Sequence, residues 1–171
     1  MAINWKPTWE REEPAEIIFN QDGSVHFDDL VGDVWLPEDY KEFMLYSNGL
    51  GTKDTNSWFV SDYPNGPKIL ELEYLSEFFS VKNGTLGFQV NMFHDGYTVP
   101  KGYIDIGTAE GDANYTSVLL SVRKEAPDYG QVFTWMQTQD PWMEGENTTG
   151  LGFVANSFTE FMNNLTAREN L

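Results

Sequence analysis

Only two histidines occur in this chain, and neither is accompanied by a recognisable catalytic set. His26 sits in an alternating run, Val25-His26-Phe27, where a packed or surface imidazole is the expected role. His94 lies in Phe93-His94-Asp95-Gly96, and Asp95 could orient its ring. No nucleophile-elbow serine and no second histidine at metal-ligand spacing accompanies it. Cysteine is absent, which removes thiolate metal sites, cysteine nucleophiles and a disulfide framework. Gly49-Leu50-Gly51 precedes neither a helical pattern nor Lys-Ser/Thr, so it is no phosphate cradle. Carboxylates recur in pairs, at Glu12 and Glu13, Asp28 and Asp29, and Glu71 and Glu73. A glycosidase would hold two of them a fixed distance apart across a cleft. Glu71 and Glu73 instead alternate with Leu70 and Leu72, as on the wet face of a strand. Asp105, Glu110 and Asp112 gather around one turn without the alternating Asp-x-Asn ligand loop of a calcium site. Neither a catalytic set, a metal site nor a cofactor is expected.

Binding is the chemistry these residues suit better. The 171 residues carry 27 acidic against 10 basic side chains, a formal charge of -17, with 15% aromatic residues. Direct nucleic-acid contact and anionic membrane surfaces are disfavoured, because both need clustered Lys and Arg. A basic protein is the complementary partner: carboxylates steer the encounter and aromatic side chains anchor it. Two groups could do this. One is the turn carrying Asp105, Glu110 and Asp112; the other is the loop 140–146, where Trp142 stands among Asp140, Glu144 and Glu146. The N-terminus lacks a basic region leading into an apolar run, and no apolar segment nears membrane-spanning length, so a cytoplasmic protein is expected. The sequence leaves the oligomeric state open.

The elements that must position these groups are marked in the sequence. Residues 1–34 read as an N-terminal arm with Trp5 and Trp9 packed back on the body, then a short hairpin of 16–19 and 25–27. They belong to the same domain as the core at 35–171. A helix is predicted over 37–48, opened by Pro37 with Glu38 and Asp39 in its first turn. Leu36, Tyr40, Phe43, Met44 and Ser47 fall on one face, and Asn48-Gly49 offers a left-handed close. Strands are expected at 57–61 and 69–73, the latter feeding a short helix through Leu75, Phe78 and Phe79. An irregular aromatic loop is expected over 84–98. Further strands follow at 103–107, 115–122 and 131–136, separated by Asp/Gly turns. Ser157-Phe158-Thr159-Glu160 is a capping box opening a second helix over 158–166.

Leu36-Pro37-x-Asp39-Tyr40-x-x-Phe43 ending in Asn48-Gly49 resembles the signature of the SUKH superfamily. That superfamily includes bacterial immunity proteins and yeast cell-wall-synthesis regulators. The later strands and the Ser157-Phe158 helix continue the likeness over roughly 35–165; the glutamate-patterned helix usual ahead of the motif is not evident. The resemblance implies a single α+β domain, a mainly antiparallel sheet packed by the two helices. It also implies a non-catalytic immunity protein that neutralises a toxin, often a nuclease, whose basic cleft an acidic face would fill. A regulatory scaffold of the yeast kind is the alternative it allows. An enzyme with a cleft around His94 is the remaining reading.

Overall fold

Alternating side chains and short turns build most of this chain, and two short amphipathic helices cover what the strands leave apolar. The computed structural model describes residues 2–28, 32–52, 56–75, 79–80, 86–87, 93–94, 97–111, 114–136 and 150–171. Strands β1 (Trp9–Arg11), β2 (Val25–Asp28) and β3 (Gly32–Val34) precede helix α1 (Glu38–Tyr46). After it come β4 (Leu50–Thr52), β5 (Trp58–Tyr63) and β6 (Gly66–Leu75). Four two-residue strands follow: β7 (Phe79–Ser80), β8 (Leu86–Gly87), β9 (Phe93–His94) and β10 (Tyr97–Thr98). The last part holds β11 (Tyr103–Gly111), β12 (Asn114–Ser121), β13 (Val132–Trp135), β14 (Leu151–Ala155), helix α2 (Phe158–Asn164) and a 3-10 turn at Arg168–Asn170.

The fold is α+β with one dominant antiparallel sheet, ordered β1-β4-β6-β11-β12-β13-β14-β5. Because β5 also pairs with β6, six of these strands close on themselves. The closing seam is thin: β14 meets β5 through the single pair Phe153 and Asp62. Gly152 lets it close at all, since a Cβ there would strike the Ser61 hydroxyl and the Tyr63 ring.

The inner face of the ring and the two helices share the core. Leu70, Leu72, Ile104, Ile106, Val118 and Leu120 face Tyr40, Phe43, Phe158 and Phe161, all buried. Phe158 packs edge-on against Tyr40 at 4.8 Å between centroids, and Phe161 meets Phe59 edge-on at 5.3 Å. Each such aromatic contributes roughly 1.5–3 kcal/mol through burial, with a further ~1 kcal/mol from the edge-on contact.

Several elements differ from their sequence reading for identifiable reasons. Residues 16–19 form no strand; β2 pairs instead with β3, His26 facing Asp33 across the hairpin. The arm does pack back, and further than expected, because Trp9–Arg11 becomes an edge strand against β4 while Trp5 stacks on Phe43. Helix α1 stops at Tyr46 without a left-handed residue at its cap. Its final carbonyls are taken by the arm: Met44 accepts from the Ala15 N–H at 2.9 Å and Tyr46 from Arg11 Nε at 2.8 Å. Asn48 turns its own N–H to the Glu13 carbonyl, leaving Gly49 alone at positive φ. Phe79 lies in a strand, not a helix, and 84–98 contains three short strands among its described residues. Strand β11 runs on through Gly111 and β12 starts at Asn114, so the strands read at 103–107 and 115–122 extend toward each other. Strand β14 was not anticipated at all.

Helix α2 opens as read. Ser157 Oγ accepts from the Glu160 N–H at 3.0 Å, while Glu160 reaches one residue further back than a capping box requires, to the Asn156 N–H at 2.9 Å. Ser157→Ala should therefore destabilise the protein by about 1 kcal/mol. A thermal melt that does not move would contradict that role for the hydroxyl.

Candidate functional site

The outer face of the ring, away from the helices, collects side chains in rows set by the register. In one row Trp58, Glu71 and Glu110 stand side by side on β5, β6 and β11. In the next, Val60 pairs with Ile69; in the third, Phe153, Asp62 and Pro67 are neighbours on β14, β5 and β6. Val60 is 40% exposed, Ile69 46% and Phe153 37%. An apolar row is thus bracketed by carboxylates. Successive rows lie ~6.7 Å apart along a strand, so the outer carboxylates are about 13 Å from one another. From Phe153 an aromatic row runs inward, through the half-buried Phe133 to the buried Tyr103, in edge-on contacts at 6.0 and 5.5 Å.

Glu71 and Glu110 oppose each other directly, an arrangement that costs stability on a sheet. Glu71 accepts from Ser57 Oγ at 3.0 Å. Among the described residues, the ion pairs join His26 to Asp33, Lys41 to Glu38 and Arg123 to Asp128, and none reaches this face. The cation beside it, Arg168, lies over the Trp58 ring at 4.7 Å.

Sequence reasoning missed Val60, Ile69 and Phe153 because β5 inverts the usual pattern. Ser61 is fully buried while its neighbour Val60 is exposed. Ser61 and Tyr63 each share a hydrogen bond of 2.6 Å with the Thr134 hydroxyl, which makes their inward placement affordable in a core. Alternation in Trp58–Tyr63 shows two faces but not which one is wet.

Of the residues singled out in the sequence, Glu110 takes its place on this outer face. Asp105 is on the same face but is not exposed with it. It is 4% exposed, at a bulge of β11, where its carboxylate accepts from Ser117 Oγ at 2.7 Å and from the Gly107 N–H at 3.1 Å. An exposed acidic trio is therefore not what the strand builds: the bulge keeps Asp105 on the face of Glu110, but there it is buried beside Leu119, part of a second apolar cluster with Val99, Tyr103 and Trp135. Gly107 is required beside it, because a Cβ there would press on the Tyr74 carbonyl. Burial pushes the Asp105 carboxyl up to about 7, against the two hydrogen bonds that favour its charged form. Tyr40 across the core is raised well above its ordinary value, by burial first and then by Asp105. Asp112, Asp140, Trp142, Glu144 and Glu146 lie outside the described residues, as does the side chain of His94. Among the described residues, no group of three or more His, Asp or Glu side chains could hold a metal ion. No helix among them is long and apolar enough to cross a membrane.

The family model of the SMI1/KNR4 family (SUKH-1) matches residues 33–164. The chain belongs to the SUKH-1 family. No curated protein and no solved structure matched it. In this SUKH-1 chain the motif residues are structural. Leu36, Tyr40 and Phe43 are buried, and Pro37 caps α1. Asp39 holds both helix starts, accepting from the Tyr40 N–H at 2.9 Å and from the Thr159 N–H at 2.7 Å. Asn48 and Gly49 fix the chain leaving α1. SUKH-1 membership supports two kinds of role, immunity protein or SMI1/KNR4-like regulator, both exercised through protein–protein contact.

Asp105 yields a test with a definite sign. Unfolded, its carboxyl titrates near its ordinary 3.8; folded, near 7. The folded state thus holds the extra proton between those values. The stability this contributes is complete below pH ~4 and lost as pH rises through about 7. Asp105→Asn, which cannot ionise, should be more stable than wild type above pH 7, with the advantage vanishing near pH 4. Urea unfolding at both pH values measures it; an equal gap at the two would remove Asp105 as the source.

Proposed function

We propose that this SUKH-1 protein is an immunity protein: it binds a basic, nuclease-type toxin domain one to one, covers its phosphate-binding surface and transforms nothing itself. The observation that carries this reading is the outer sheet face. There an exposed apolar row, Val60 and Ile69, is bracketed by Asp62 and by Glu71 with Glu110, which form no ion pair among the described residues. A face of this kind stabilises a complex by burying the anchors while its carboxylates meet the partner's cations. The formal charge of -17 works in the same direction at longer range.

Stoichiometric cover requires no catalytic machinery, consistent with the sparse histidines and the absence of cysteine. The regulatory role found in the same family is the competing reading, and it is separated from immunity by the partner. Co-expression with toxin domains encoded beside this gene should rescue growth, and rescue should fail once toxin exceeds the immunity protein. Protection that persists at large toxin excess would point to an enzyme. No rescue from any adjacent toxin domain would end the immunity reading.

A further inference from the structure

The seam of the ring opens below its single pair. Above the opening, Phe153 of β14 meets Asp62 of β5. Beneath it, β5 bonds to the tail after α2 instead: the Trp58 N–H donates to the Thr166 carbonyl at 2.9 Å, and the Trp58 carbonyl accepts from the Thr166 N–H at 3.0 Å. Val60 lies midway between these two attachments. Since main-chain groups of an antiparallel strand alternate in direction, its N–H and C=O point toward the same edge as those of Trp58. A pocket of about 240 Å³ fills the gap, lined by Phe59, Val60, Val154, Phe161, Asn164 and Leu171. Its walls mix the side chains of Phe59, Val60, Val154, Phe161 and Leu171 with a nearly equal polar share, from groups such as the Asn164 amide and the edge of β5, a makeup that suits one small aliphatic group held beside polar partners.

The pocket adjoins the apolar row through Val60, and the carboxylates lie on either side of that row. We propose that this seam is the anchor point of the docking face: the partner inserts one aliphatic side chain beside Val60 and sets a basic side chain on each side of it. One cation meets Asp62 and the other meets Glu71 and Glu110. This rests on the reading that the chain binds a basic protein, and it specifies what that protein must present. The carboxylate rows are about 13 Å apart, which is the reach of alternate side chains at positions one and five of an extended segment. Charge selects against a second copy of this chain as occupant, because -17 would meet -17. The opposed glutamates gain more from a cation than from water, since a partner's guanidinium relieves their mutual repulsion and can bond to both.

The test uses two end-capped peptides, Arg-Ser-Leu-Ser-Arg and Arg-Ser-Ser-Ser-Arg, titrated into the isotope-labelled full chain and followed by amide NMR. The leucine peptide should shift the amides of Val60, Ile69, Phe153 and Asn164 and bind about tenfold more tightly than the serine peptide, the value of one buried aliphatic side chain. Asp62→Lys should abolish the localised shifts, and Val60→Ser should bring the two peptides to equal affinity; both positions are exposed enough for the fold to survive. Shifts scattered over the acidic surface, or equal affinities in the wild type, would overturn the proposal. Localised peptide binding without toxin rescue would remove the immunity reading and leave this docking site standing.

Discussion

One carboxylate fixes the geometry on which the rest depends. Asp39 takes an N–H from its own first turn and another from the first turn of α2, 120 residues later. Both are donors that a helix start leaves without an intrahelical acceptor, and a negative charge there also meets the positive ends of two helix dipoles. Sharing one acceptor, the helices cannot slide past each other. That holds Phe158 against Tyr40 and Phe43, and one turn later Phe161 against Phe59. The chain leaving α2 then reaches Trp58 with Thr166. The seam of the ring is thus set by where Asp39 places α2.

Polar groups inside this core mark where packing alone would not suffice. Thr134 receives both Ser61 and Tyr63, and Asp105 receives Ser117 and the Gly107 amide. The first set is neutral and satisfied, so it fixes the register of β5 against β13 at little cost. The second is not neutral when ionised, which is why the carboxyl holds its proton so far above the ordinary range. Its retention at a bulge suggests a local requirement: the Gly107 N–H, turned out of the ladder by the bulge, needs an acceptor, and the carboxylate supplies it.

Local signals were legible in the sequence wherever chemistry alone decides them. The start of α1 at Pro37, the Ser157 cap and the strands at β6, β11, β12 and β13 follow from φ restriction, cap geometry and β-branched alternation. What stayed hidden depends on distant partners. Residues 16–19 have the composition of a strand but find no strand partner, following an arm whose Arg11 and Ala15 are tied to the last carbonyls of α1. Strand β14, Leu151–Ala155, is too short and glycine-containing to announce itself; only β13 and β5 on its two sides make it a strand. The site was half legible for the same reason. Glu110 was identifiable as a carboxylate between two strands, though it was read on a turn and lies within β11. Val60 and Ile69 were not, because Ser61 looks like the wetter residue until Thr134 is placed opposite it.

The outer face also explains how one surface can serve two different demands. Carboxylates in water act over the Debye length, about 8 Å at physiological salt, so they raise the rate of encounter but hold a complex weakly. Apolar anchors act only on contact and chiefly lengthen its lifetime. Placing Val60 and Ile69 between the carboxylates makes contact exclude water from the charges beside them, which strengthens those charges at the moment they are paired. The same arrangement leaves the free protein with opposed glutamates at Glu71 and Glu110, a destabilising feature that the fold tolerates because Asp39 and the aromatic core hold the sheet independently. At β5 and β6 the inner face thus carries stability, while the outer face is free for the recognition proposed for it.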